Sequence, residues 1–133
     1  MEFFKWKDQF SVQIPEMDIQ HQKFFFLLNQ IHQFNEEKRN NSEFLEGHFR
    51  ELFAYVVTHF DDEEKLLEQT GYEGLALQKK QHKYFKEQLV QLRDQHFKGN
   101  AAVPQSVLNF MRDWFLNHIL EVDKQYGDYF KNQ

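Results

Sequence analysis

The chain has 133 residues and a formal net charge of −5, with 16 phenylalanines, 5 glycines, 2 prolines and no cysteine. That length builds one domain with a core, so residues 1–133 are read as a single domain; the acidic balance leaves no basic surface for nucleic acid, and no stretch nears the ~18 apolar residues of a membrane helix. Without cysteine there is no disulfide, thiolate metal site or thiol nucleophile, so any metal must be held by nitrogen and oxygen.

The chain opens on MEFFKWKDQF, whose aromatics are broken by Glu2, Lys5, Lys7 and Asp8. It lacks the apolar run of a secretory signal, and a cytoplasmic protein is expected. Few breakers follow: Pro15, KRNNS at 38–42, TGYEG at 70–74 and KGNAAVP at 98–104. They leave a short N-terminal arm and four long segments without internal repeats, which predicts an all-α, antiparallel, up-down-up-down four-helix bundle.

Each segment carries one stripe at steps of three and four. The first reads Met17, His21, Phe24, Leu28, Ile31 and Asn35. The second reads Leu45, Phe49, Leu52, Val56, His59, Glu63 and Leu66. The third reads Leu75, Gln78, His82, Phe85, Leu89 and Leu92, and the fourth Leu108, Met111, Phe115, His118 and Val122. Such spacing keeps side chains on one helix face, and four such faces meet in a bundle core. His21, His59, Glu63, Gln78, His82 and His118 therefore face inward. Left unpaired, each would destabilise the fold by roughly 1–3 kcal/mol, and an isolated carboxylate by more.

A bound metal satisfies them together, because imidazole nitrogens and carboxylate oxygens become ligands. His21 lies early in its segment, His59 and Glu63 late, Gln78 and His82 early, and His118 late. With antiparallel neighbours, all six fall near one end of the bundle. Asp123 follows His118 by five positions. It either reaches across from beside Val122 or sits on a widened π-type turn of the kind found at functional sites. Glu63 and Asp123, from different helices, offer the paired oxygens and negative charge that two close cations need. Of the acidic run Asp61, Asp62, Glu63 and Glu64, only Glu63 is expected to point inward. His32, His48 and His96 fit no spacing motif and are read as solvated or structural.

His21, the pair His59 and Glu63, His82, and the pair His118 and Asp123, preceded by WKDQFSVQIPEMDIQHQ, resemble a single-domain bacterial hemerythrin over essentially the whole chain. The resemblance implies a non-haem diiron centre, bridged by an oxo or hydroxo group, that binds O2 reversibly. It assigns His21 and His59 to the open iron, His82 and His118 to the other, and Glu63 and Asp123 to the bridges; manganese or zinc are the alternative metals for such a donor set. The chain departs from the family at Gln78, where a histidine is usual. A neutral amide oxygen is a weaker donor there, or the amide is inert in the core. Phe115 stands where the family often has leucine, and with Trp114 and Ile119 it is expected to shape the O2 pocket. O2 storage, delivery or sensing is the first expectation. A redox enzyme acting on peroxide or NO is the second, with no acid or base marked for catalysis and no redox partner indicated, and a metal-free scaffold is the third.

Overall fold

The computed structural model describes residues 3–37, 42–96 and 105–132. After a short 3-10 turn at Asp8–Phe10 come α1 (Pro15–Glu36), α2 (Ser42–Gln69), α3 (Leu75–His96) and α4 (Gln105–His118); a π-helical stretch at Ile119–Asp123 then leads into α5 (Lys124–Lys131). All the regular structure among the described residues is helical, as the stripes require. α2 packs on α1 and α3, and α4 packs on α1, so the four long helices form the expected bundle. Residues 38–41 and 98–104, with the side chains of Leu45 and His96, lie outside the described residues.

The helix ends follow from local chemistry. Pro15 at the start of α1 fixes the helical φ where its missing N–H is not needed. At the end of α2, Gly71 takes a φ of 70°. Its N–H reaches the Glu68 carbonyl at 3.2 Å, and that of Tyr72 reaches the Leu67 carbonyl at 3.1 Å, which closes the helix as a Schellman turn.

Stripe residues from Met17 through Ile31, Phe49 through Glu63, Gln78 through Leu89 and Leu108 through Val122 are buried. Four predicted members, Asn35, Leu66, Leu75 and Leu92, are only partly so. At the end of α2 the core position passes from Leu66, half-buried, to Leu67, fully buried. A stripe drawn with steps averaging 3.5 drifts on a helix of 3.6 residues per turn, and over a helix this long the drift reaches a whole position.

The N-terminal arm closes one side. Phe4, Phe10 and Val12 are buried, the Phe4 and Phe25 rings stack at 3.7 Å, and Asn29 exchanges 2.8 Å hydrogen bonds with both the N–H and carbonyl of Phe4. Asp18 accepts from Ser11 Oγ at 2.5 Å and from Val12 N at 2.8 Å. His32 is structural: it is buried and stacks on Phe3 at 4.4 Å.

The arm then crosses α5 at Gly127, where an added Cβ would fall on the Val12 carbonyl oxygen. Backbone there cannot yield as a flexible side chain does, so Gly127→Ala is expected to lower stability by about 1–3 kcal/mol. A urea midpoint equal to that of the parent chain would show that the arm is not held against α5.

Candidate metal centre

His21, His59, Glu63, Gln78, His82, His118 and Asp123 converge in one layer, and none exceeds 3% exposure. Six arrive by regular helical spacing. Asp123 arrives by the π-helical stretch Ile119–Asp123, which settles the two geometries the spacing left open: widening the turn brings a residue five positions after His118 back onto the inner face.

The oxygens of the two carboxylates are divided between two sets of imidazoles. Glu63 Oε2 lies 3.5 Å from His21 Nε2 and 3.6 Å from His59 Nε2, while its Oε1 lies 3.0 Å from His82 Nε2. Asp123 Oδ2 lies 3.3 Å from His21 Nε2, and its Oδ1 lies 3.1 Å from His118 Nε2. Two overlapping groups result, His21 with His59 and Glu63, and His82 with His118 and Glu63, each compact enough to surround a cation. Gln78 belongs to the second. Its Nε2 donates to Asp123 Oδ1 at 2.9 Å, and its Oε1 is 3.0 Å from His118 Nε2.

Outer partners aim three of the rings. His59 Nδ1 lies 2.6 Å from Gln20 Oε1, His82 Nδ1 lies 2.8 Å from Glu64 Oε2, and His118 Nδ1 lies 2.7 Å from Gln81 Oε1. The Glu64 carboxylate can only accept, so His82 carries its proton on Nδ1. The Gln20 amide is oriented by donating from Nε2 to Asp62 at 3.2 Å, which leaves its oxygen to accept from His59. Nε2 lone pairs thus point at one another: those of His82 and His118 are 3.2 Å apart. His21 Nε2, His59 Nε2, Glu63 Oε1 and Asp123 Oδ2 lack a formed hydrogen bond. Buried lone pairs facing each other with outer N–H groups anchored are the donor set a divalent cation requires, and the residues fit a metal pair.

Charges in the protein's own groups follow the same geometry. Burial alone would lower the His21 pKa, but the Asp123 and Glu63 carboxylates beside its Nε2 outweigh it and push it up to about 9. His59 has only Glu63 within ion-pair distance, and burial takes it down to about 4. Glu63 is held well below the usual carboxylate range because the imidazoles His59, His21 and His82 outweigh its burial. The Tyr126 hydroxyl donates to Glu63 Oε2 at 2.7 Å; burial and the neighbouring carboxylates push its pKa well up, so it stays a neutral donor.

Phe115 and Trp114 stand on different sides, and Phe60 borders both, stacked on His82 at 3.8 Å and 5.7 Å from the His59 ring. Phe115 is fully buried, stacks on Phe24 at 4.0 Å and lies 5.7 Å from both the His21 and His59 rings. Trp114 stands at the other group, stacked on His118 at 4.8 Å. Ile119 is buried within the π stretch.

Gln20, Glu64, Gln81 and Tyr126 escape the sequence reading. Glu64 corrects it, since the expectation of a solvated Glu64 gives way to a side chain 20% exposed and bonded to His82. A local signal exists: Gln20 and Gln81 directly precede His21 and His82, and Glu64 directly follows Glu63. A neighbour in sequence lies about 100° round the helix, toward the adjoining helix, and there it meets the next imidazole. Gln20→Leu is expected to weaken metal binding ~10–100-fold, measured by competition with a chelator at unchanged helical content; equal affinity would show that His59 needs no anchor.

Comparison with known proteins bears on this geometry. Residues 12–130 match the hemerythrin HHE cation binding domain. A bacteriohemerythrin of Methylococcus capsulatus is 34% identical over 90% of this chain and 89% of its own length, and one of Clostridium acetobutylicum is 30% identical over 94% and 99%. The crystal structure of wild-type hemerythrin superposes with a TM-score of 0.86 at 31% identity, covering 95% of this chain and 96% of that one. The chain belongs to the hemerythrin HHE cation-binding family and is a non-haem iron-binding protein of that family.

Proposed function

We propose that residues 1–133 act as a single diiron domain that binds O2 reversibly, for storage, delivery or sensing. The observation that carries this reading is the division of the Glu63 and Asp123 oxygens between His21 and His59 on one side and His82 and His118 on the other. A pair of ferrous ions supplies the electrons for reversible O2 capture. The chain's own residues do the rest. His21 and His59 hold the side where O2 binds, and the rings of Phe115 and Phe24 keep water from it. His82 and His118 hold the other side, anchored through Glu64 and Gln81. Tyr126 keeps Glu63 in place through its hydrogen bond.

Gln78 is the fourth element of the second side. Its Nε2 is committed to Asp123, so Oε1 is the atom left facing His118 Nε2. We read it as a neutral oxygen donor in place of an imidazole nitrogen, weaker for a divalent ion of the iron group. A looser second side makes the centre more easily oxidised and opens it to peroxide.

Anaerobic reconstitution with ferrous iron, followed by removal of loose metal, is expected to leave about two irons per chain and an absorption band that appears with O2 and is reversed on its removal. About one iron would overturn the paired centre, and none would sink the metalloprotein reading. Because even outer partners alter metal affinity ~10–100-fold, exchanging a donor in Gln78→His is expected to tighten iron by at least ~10-fold and to slow autoxidation. Unchanged iron retention and autoxidation would show that Gln78 does not ligate.

A further inference from the structure

The seven residues of the central layer are buried, so a cation arriving from solvent has to shed its water and pass a side chain to reach them. The two halves differ in what stands in the way. On one, Phe115 lies 5.7 Å from both the His21 and His59 rings, with Phe24 stacked behind it at 4.0 Å. On the other, His118 lines a groove of ≈ 480 Å³ between α3 and α4, whose walls include Gln81, Trp114, Asn117 and Glu121. His118 therefore belongs to the groove and to the layer at once.

A hydrogen bond made within the groove sets that ring. His118 Nδ1 donates to Gln81 Oε1 at 2.7 Å, which keeps Nε2 turned inward, 3.1 Å from Asp123 Oδ1, 3.0 Å from Gln78 Oε1 and 3.2 Å from His82 Nε2. Gln81 is half-buried and lines the groove, so its amide can exchange this bond for one to water. Gln20 and Glu64, which anchor His59 and His82, are not part of the groove lining. The groove gathers no ion from a distance, because Lys80 and Glu121 both line it and their charges offset. At close range the exposed Glu121 carboxylate, three residues after His118, offers oxygens in place of water.

We propose that the groove is the port through which divalent cations reach the layer, with His118 as its gate and Gln81 as the latch on that gate. This rests on the reading of the layer as a metal pair. When the Gln81 bond opens, the imidazole turns its Nε2 lone pair toward the groove, takes a cation from Glu121 and carries it inward on turning back. Glu63 and Asp123 each place one oxygen in either half. They pass the first cation on to His21 and His59, and the second stays with His82, His118 and Gln78.

Zinc uptake by the metal-free chain and zinc loss from the loaded chain, both followed with a chromogenic chelator, test the port. Asn117→Trp, at an exposed position on the groove wall, fills the passage; an obstacle acts on both directions equally, so uptake and loss are expected to slow alike by about tenfold at unchanged affinity. Gln81→Leu removes the latch and is expected to speed uptake about fivefold, the factor that one hydrogen bond commonly carries, as well as speeding loss. Gln20→Leu removes an anchor on the far half and is expected to speed loss alone. Leu77→Trp, also exposed on the groove wall, repeats the obstruction should Asn117→Trp not fold. Uptake at the parent rate in the obstructed chain or in Gln81→Leu overturns the port, and so does equal acceleration of uptake by Gln81→Leu and Gln20→Leu. A chain that binds no zinc at equilibrium defeats the metal reading and the port with it, whereas a bound pair of zinc ions with rates indifferent to the groove defeats the port alone.

Discussion

Glu63 and Asp123 carry carboxylates into a layer where neither has any exposed surface, and an isolated buried carboxylate opposes folding by more than the few kcal/mol by which a domain of this size is stable. The rest of the bundle is arranged around that constraint. Four imidazoles surround the two carboxylates, Tyr126 donates a hydrogen bond to one and Gln78 to the other, and three of the imidazoles are themselves held from outside. The two carboxylates raise the His21 pKa to about 9 although burial opposes it, which favours a compensating positive charge on that ring. A divalent pair held by these residues would supply more positive charge in the same place.

The outer partners form a sequence of their own around the bundle. Gln20 on α1 holds His59 on α2, Glu64 on α2 holds His82 on α3, and Gln81 on α3 holds His118 on α4. Each helix thus orients an imidazole on the next. This makes the angular setting of neighbouring helices, and not only their packing, a condition of the site: rotating one helix misaims the imidazole on its neighbour as well as its own. His21 stands outside the series, with Nδ1 unpartnered, and its position rests instead on the rings of His59 and Phe115.

The bundle and six of the seven central residues were legible because one rule serves both: a residue on the stripe is buried whether it is leucine or histidine, and buried polar residues on four stripes at matching heights must meet. Asp123 was legible only as two alternatives, since spacing alone does not distinguish a reaching side chain from a widened turn. Leu67 in place of Leu66 shows where the rule drifts along a helix of 28 residues. Glu64 and the two glutamines lie between the core and surface faces, a zone that a division into inward and outward positions omits. Their contacts depend on the angle between two helices, a tertiary quantity that no single stripe contains.

The two halves of the layer differ in their walls more than in their ligands. Beside His21 and His59 stands Phe115 with Phe24 stacked behind it, both with at most 1% exposure, while the buried Phe60 borders both halves, 5.7 Å from the His59 ring and stacked on His82 at 3.8 Å. Such a wall keeps solvent from these two imidazoles. Around His82 and His118 the neighbours include Glu64, Gln81 and Trp114, each reaching partly exposed surface. The second half is thus the one whose bordering side chains reach the surface. Because Glu63 and Asp123 each present one oxygen to each half, a change of charge on the accessible side is felt on the enclosed side through the same two carboxylates, without any movement of the helices.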